Sequence, residues 1–315
     1  MRHLRTLPIQ TSPVPATHTD SMRLLHRRRI TWTPDATLEP AEEVDRLPDK
    51  PEGAVRLGHL SDFHLGKPLD RGSVPRVVGR WLADFREADV DAIVFAGDLV
   101  EVPDRRAPML RMRRMLDRSA IPWVTVPGNH DVETPGTGPF YDLFGDYPRV
   151  ERHAGIDFLL LDTMAGLPAG RRNPFERLSH LRKGYWSKGA VGPEQRRLAE
   201  GRLPAERDAP LVVLLHHHLA PQEQLLDELP ESTAPPSLMV PATDAAETAE
   251  WAADLGARLL FHGHMHEFWP LYTPDPRLVA VNSGSSTRRG RARIVDLSGG
   301  KAWAYVAQLP STTSI

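Results

Sequence analysis

An α/β fold is the class this sequence predicts, and two observations carry the prediction. From Val55 onward, short apolar runs alternate with stretches whose apolar residues recur at helical spacing. Five of those apolar runs end at once in side chains fit to bind a metal. In α/β folds, ligands collect outside the carboxyl ends of the strands. Five such ends therefore predict one shared site.

The clearest case is Ile121-Pro-Trp-Val-Thr-Val-Pro-Gly-Asn-His-Asp131. Residues 121–126 read as a buried strand, Pro127 and Gly128 break it, and Asn129, His130 and Asp131 occupy the turn. Val55–Leu60 likewise runs into Asp62 and His64, Asp91–Ala96 into Gly97 and Asp98, Leu211–Leu215 into His216, His217 and His218, and Ala257–Phe261 into His262, His264 and His266. Between them, Val74–Ala88, Asp104–Arg118, Pro193–Leu203 and Pro241–Leu255 read as helices. The methionines at 109, 112 and 115 fill a core face rather than forming a cofactor box. Gly155–Leu161, Leu278–Val281, Ala292–Asp296 and Ala302–Ala307 read as further strands. Two long loops, 163–190 and 219–240, flank the expected site as candidate substrate walls.

Residues 1–54 are rich in Pro and charge and lack clear periodicity. They are expected to be a partly disordered extension, with the basic run 21–30 a solvated stretch. The main domain is expected over 55–309, with a tail at 310–315. The 315 residues carry 40% hydrophobic content, enough for a large core, and a net charge of −2, which calls for neither nucleic acid nor an anionic membrane. Cysteine is absent, which removes disulfides, thiolate metal sites and Cys nucleophiles and fits a cytoplasmic setting. No apolar stretch has the length of a membrane span.

The ligand-type residues are Asp62, His64, Asp98, Asn129, His130, His216, His264 and His266. They offer imidazole, carboxylate and one amide oxygen, a set suited to Mn, Fe, Zn or Co. They are too many for one ion, which takes three to five protein ligands. Two ions sharing a carboxylate would use them all. Asp62 and His64 stand two apart in an expected extended segment, which would turn both side chains the same way, and His264 and His266 repeat the spacing. Gly263, Gly97 and Gly128 let the backbone bend closely beside them.

The ordered set Asp62-x-His64, Gly97-Asp98, Gly128-Asn129-His130-Asp131, a strand-terminal His and Gly263-His264-x-His266 resembles the calcineurin-like metallophosphoesterases over about residues 55–285. The resemblance implies a four-layer αββα sandwich, two mixed sheets with helices outside. It implies one divalent ion on Asp62, His64, Asp98 and His266, and a second on Asp98, Asn129, His216 and His264. Mn or Fe fits best, with Zn a further option. A phosphoester would then be opened by in-line attack of a bridging hydroxide. His130 is free to protonate the leaving group, with Asp131 orienting its ring. His216 is taken as the ligand because it comes first after its strand; His217 is then expected to line the substrate site beside Asn129 and His130, although a one-residue shift would make His217 the ligand.

Within the family, Glu101 replaces the tyrosine of purple acid phosphatases, and Leu99–Pro103 lacks the Asp-Arg-Gly of protein phosphatases. His59–Gly66, the His216-His217 run and Asn282–Arg288 resemble bacterial class III cyclic-nucleotide phosphodiesterases. That makes 3′,5′-cyclic AMP the first candidate substrate, with nucleotide-pyrophosphate hydrolase and nuclease as alternatives. A non-catalytic interaction scaffold is the reading from another class, and the complete ligand inventory weighs against it. His59 and His262 are expected to pack or support the ligands. Asn282–Ser286 is either a contact to phosphate or to a ligand His, or a polar turn, and Arg288, Arg289 and Arg291 could bind anions, with a solvated basic edge as the default.

Overall fold

The computed structural model describes residues 23–32, 36–44, 46–66, 73–167, 188–220, 240–268, 270–287 and 290–309. The two loops expected as substrate walls lie largely outside the described residues, as do residues 1–22 and the tail. The chain begins with β1 (Arg23–Thr31), β2 (Thr37–Leu38) and β3 (Val55–Leu60), then α1 (Ser73–Glu87), β4 (Ala92–Phe95), α2 (Arg106–Asp117) and β5 (Trp123–Thr125). It continues through α3 (Pro139–Phe144), β6 (Arg149–His153), β7 (Ile156–Leu160), α4 (Pro193–Glu200), β8 (Leu211–Leu214) and α5 (Ala245–Asp254). It closes with β9 (Leu259–His262), β10 (Tyr272–Asp275), β11 (Leu278–Asn282), β12 (Arg291–Ser298) and β13 (Lys301–Gln308).

These strands form two mixed sheets. The seven-stranded sheet has the order β2-β1-β13-β12-β3-β4-β5, and the six-stranded sheet the order β10-β11-β9-β8-β7-β6. β3, β4 and β5 run parallel, as do β7, β8, β9 and β11, while hairpin partners supply the antiparallel edges. Three apolar layers hold the stack together. Val78, Trp81, Phe85, Met109 and Met112 of α1 and α2 cover the outer face of the first sheet, beneath Leu60, Ile93 and Ile294. Leu57, Val94, Val124, Phe158, Val212 and Phe261 meet between the sheets. Ala249, Ala252 and Ala253 of α5 and Ala199 of α4 cover the outer face of the second sheet. This is the expected four-layer sandwich, and it aims the parallel strand ends of both sheets at one rim. No helix among the described residues is long and apolar enough to cross a membrane.

The N-terminal segment departs from expectation. Residues 23–30 of the basic run lie within β1, which pairs antiparallel with β13 and belongs to the first sheet, not to a detached leader. The reason is a period-two pattern hidden by charge. Ile30 is 1% exposed and sits in the inter-sheet core, while Arg27 and Arg29, on the opposite face, meet Glu42 and Glu39. Farther along, Arg56 binds residues 46–54 to the domain. Its Nε and Nη2 donate to Asp296 at 2.6 and 2.7 Å, and Nη2 also donates to the Pro48 carbonyl. Ile30→Ala is expected to lower unfolding stability by about 2–5 kcal/mol, read by urea denaturation. A loss below about 0.5 kcal/mol, the range of ordinary surface substitutions, would show that β1 lies outside the cooperative fold.

Candidate metal centre

Each ligand-type side chain stands just beyond a strand. Asp62 and His64 follow β3, Asp98 follows β4, Asn129 and His130 follow β5, His216 follows β8, and His264 and His266 follow β9. The backbone there is not extended, which revises the expected geometry. Asp62, His64, Asp98, His264 and His266 all adopt left-handed conformations, with φ of 56°, 52°, 54°, 69° and 55°. Such φ values are uncommon outside glycine, though Asp and His tolerate them better than most. Asp62 and His64 converge through alternate left-handed residues, not through the two-residue repeat of a strand. Bonds from Asp62 N to Gly97 O at 3.1 Å and from His64 N to Asp98 O at 3.0 Å hold that path.

Close packing explains two glycines. A Cβ on Gly97 would come within 2.7 Å of His216 Nδ1 and 2.9 Å of Gly128 N. A Cβ on Gly263 would overlap the Ser61 hydroxyl and lie 2.8 Å from Ala96 O. Gly263 thus provides clearance between the loops of the two sheets rather than a special turn.

The donor atoms fall into two groups that meet at Asp98. In the first, His64 Nε2 lies 2.8 Å from His266 Nε2 and 3.6 Å from Asp98 Oδ2, and His266 Nε2 lies 3.4 Å from Asp62 Oδ1. Ligand atoms of Asp62, His64, Asp98 and His266 all lie within 4.8 Å of one another. In the second, Asn129 Oδ1 is 3.1 Å from both His216 Nε2 and His264 Nδ1, and His216 Nε2 is 3.5 Å from Asp98 Oδ1. Each oxygen of Asp98 therefore faces a different group.

The residues fit a pair of hard divalent ions. Their lone pairs converge, and the donors are oxygen and nitrogen only. Burial opposes ionisation of Asp98, but His216 and His130 outweigh it and hold the carboxyl well below its ordinary range. Burial likewise opposes charge on His216, yet Asp98 raises its pKa to about 9. Burial lowers His264, keeping that imidazole neutral. The His216 Nδ1–H points at the Ala96 carbonyl, 2.7 Å away, which leaves Nε2 for the site.

The neighbouring residues include two corrections. Asp131 does not touch the His130 ring: its carboxylate accepts from Gly128 N at 2.9 Å and Val100 N at 3.1 Å, locking the Gly128–Asp131 turn onto the loop after β4. Burial and then the Asp98 charge push its pKa up to about 7. The His130 ring is oriented instead by the Glu101 carbonyl, 2.8 Å from Nδ1. His217 is buried, 2.7 Å from the Thr163 hydroxyl through Nδ1 and stacked 4.3 Å from the His264 ring, so it backs a ligand-type histidine rather than lining open space.

Asn282–Ser286 forms a prop beneath Asp62. Ser285 Oγ donates to Asp62 O at 3.0 Å, and Ser286 Oγ accepts from Ser61 N at 3.1 Å. His262 Nε2 lies 3.0 Å from the Tyr272 hydroxyl, and the His59 ring meets Phe261 edge-on. Arg288 and Arg289 lie outside the described residues. Sequence reasoning missed Glu101 as a member of the site. Its Oε2 lies 3.0 Å from His64 Nδ1, so one residue holds His64 by its side chain and His130 by its carbonyl. The only signal was a carboxylate three residues beyond Asp98.

Over 100 residues the chain is 37% identical to the DNA double-strand break repair protein Mre11 of Haloferax volcanii, a match covering 29% of this chain and only 22% of that protein. A dimetal phosphatase from Danio rerio superposes with a TM-score of 0.52 at 12% identity, covering 77% of this chain and 92% of that one. Protein TT1561 of Thermus thermophilus gives a TM-score of 0.49 at 14% identity, covering 80% and 98%. The model of the calcineurin-like phosphoesterases matches residues 55–268, two thirds of the sequence, and the chain belongs to that family of phosphoester hydrolases.

Proposed function

We propose that this chain is a two-metal phosphodiesterase, with one divalent ion held by Asp62, His64, Asp98 and His266 and the other by Asp98, Asn129, His216 and His264. The observation that carries the reading is the placement of Asp98, one oxygen toward each donor group. Bound cations would acidify a water and neutralise phosphoryl oxygens. Manganese or iron suits these donors, with zinc a further option.

The chain's own residues supply positioning and the proton. Asn129 and His130 enter the site from one turn, and the His130 backbone N–H donates to Asp98 Oδ1 at 2.9 Å. The Glu101 carbonyl accepts the proton of His130 Nδ1, and Nε2 is the nitrogen assigned to protonate a departing oxygen. The partial exposure of His130 gives that nitrogen access to a leaving group, whereas Asp131 fixes the turn on which the ring is mounted.

A 3′,5′-cyclic nucleotide is the first candidate substrate, on the likeness of His59–Gly66 and Asn282–Arg288 to cyclic-nucleotide phosphodiesterases. A DNA phosphodiester is the second, favoured by the 100-residue match to a DNA repair protein. Side-by-side turnover of cyclic AMP and single-stranded DNA by metal-defined protein decides between them.

Chelated protein is expected to be inert toward bis-p-nitrophenyl phosphate and to recover with Mn²⁺, while Asp98→Ala abolishes turnover and tight binding of both ions by calorimetry. Full activity after complete chelation would overturn the two-metal reading. His130→Ala is expected to slow kcat about 10²–10⁴-fold with both ions retained; loss of the ions would reassign His130 as a ligand. Glu101→Gln is expected to weaken one ion about 10–100-fold while the other binds as before. Unchanged affinity at both positions would remove Glu101 from the support of His64.

A further inference from the structure

Strand register builds a row of three side chains behind the second donor group. β7, β8 and β9 run parallel, with Leu160 beside Leu214 and Leu214 beside Phe261. Thr163, His217 and His264 each stand three residues beyond those partners, so the strand ends deliver them side by side. The contacts follow that row. His217 Nδ1 lies 2.7 Å from the Thr163 hydroxyl, and the His217 ring lies 4.3 Å from the His264 ring at an interplanar angle of 40°.

The start of the row is held firmly. The Asp162 carboxylate accepts from Met164 N at 2.7 Å and from the Tyr141 hydroxyl at 2.6 Å, and Asp162 N donates to Gln195 Oε1 at 2.8 Å. Ala190 N donates to the Thr163 carbonyl at 2.6 Å. Gly189 presses on His217: a Cβ there would come within 2.4 Å of ring atoms Cγ and Nδ1. Thr243 N donates to Gly189 O at 2.7 Å and keeps that contact closed. His217 is wholly buried among these neighbours, so its ring has little room to move.

The end of the row is held unlike the other ligand-type histidines. A metal-bound histidine usually donates its second ring N–H to an acceptor, which fixes the ring. His216 Nδ1 has the Ala96 carbonyl, and His64 Nδ1 stands 3.0 Å from the Glu101 carboxylate. His264 turns Nδ1 toward Asn129 Oδ1, and its buried Nε2 has no hydrogen-bond partner among the described residues. Rings bound it instead: His217 at 4.3 Å, and His216 edge-on at 5.2 Å.

We propose that His217 is a positioning residue whose ring, braced by Thr163 and Gly189, sets the angle at which His264 meets the second ion, doing by packing what a carbonyl does for His216. The proposal rests on the two-metal reading. Its test titrates metal-free protein with Mn²⁺ by calorimetry. His217→Ala is expected to weaken one of two ions about 10–100-fold, the range for groups that orient metal ligands. The affected ion is the one that Glu101→Gln leaves alone, so the double variant weakens both. Turnover of bis-p-nitrophenyl phosphate by His217→Ala falls at limiting Mn²⁺ and recovers at saturating Mn²⁺. His217→Phe, which restores a ring without a nitrogen, is expected to regain most of the lost affinity. Gly189→Ala keeps every donor but displaces the His217 ring, and is expected to weaken the same ion; it carries the test if His217→Ala does not fold. A His217→Phe variant as weak as His217→Ala would show that the nitrogen itself is needed and would overturn positioning by packing. Both ions unchanged, or both weakened alike, in His217→Ala or in Gly189→Ala overturns it too, with the two-metal reading intact. Failure of the wild type to bind two ions overturns both readings together.

Discussion

Close approach of two sheets at the Asp98 carboxylate is the constraint on which the site depends. Asp98 belongs to the first sheet, and His216 of the second stands 3.5 Å from one of its oxygens. That distance requires the loop after β4 to pass directly beneath the loops after β8 and β9, where Gly97 leaves room for His216 and Gly263 leaves room for Ser61. Any side chain at either glycine would force the sheets' rims apart, and the two donor groups would no longer share a carboxylate. The inter-sheet layer of Leu57, Val94, Val212 and Phe261 fixes the separation that makes this approach possible. Packing several residues below the rim thus sets the geometry at the rim, because such interiors are close-packed and deform little.

The same rim concentrates unfavourable terms that the rest of the fold offsets. Left-handed backbone at five non-glycine residues costs of the order of 1–3 kcal/mol each. Buried carboxylates and imidazoles within 4 Å of one another add desolvation. At the rim these terms fall together on the residues whose lone pairs converge. Such a distribution is expected where conformation serves binding rather than stability, since each left-handed residue turns its donor inward. Divalent cations would return part of that cost by attraction to Asp62 and Asp98. Stability and ion loading are therefore coupled through the same few residues.

The sequence carried the fold and the ligand inventory at different levels of detail. Element order was legible because buried parallel strands read as apolar runs, and the residues after them break that pattern abruptly. The donors were legible because their chemistry is particular: Asp, Asn and His after Gly at successive strand ends have few other uses. Backbone conformation was not legible. Two residues separated by one suggest an extended segment, and only tertiary bonds such as His64 N to Asp98 O reveal alternate left-handed turns instead. β1 escaped notice because three consecutive arginines, Arg27–Arg29, mask its alternation, and a strand of that composition is identified by its partner β13, not by its own hydrophobicity. Asp131 was misassigned for a related reason: adjacency in sequence suggested contact with His130, but neighbouring residues on a tight turn point apart, and the carboxylate found backbone donors instead.

Glu101 shows how one position can link two tasks that the donor inventory treats separately. Its carbonyl fixes the His130 ring and its carboxylate stands beside His64, so the proposed proton donor and one ligand-type histidine are both referenced to the same residue. Displacement of the loop after β4 would move both together and preserve their relation, while Asp98, three residues earlier on that loop, would move with them. The rings of His64 and His130 meet edge-on at 4.7 Å, which leaves little freedom for one to shift without the other. A phosphoester centred on the Asp98 carboxylate would therefore meet His130 at a fixed offset set by the three residues Leu99, Val100 and Glu101, a segment whose side chains at 99 and 100 are fully buried. Selection among leaving groups then falls to what lies beyond this unit and not to His130 itself.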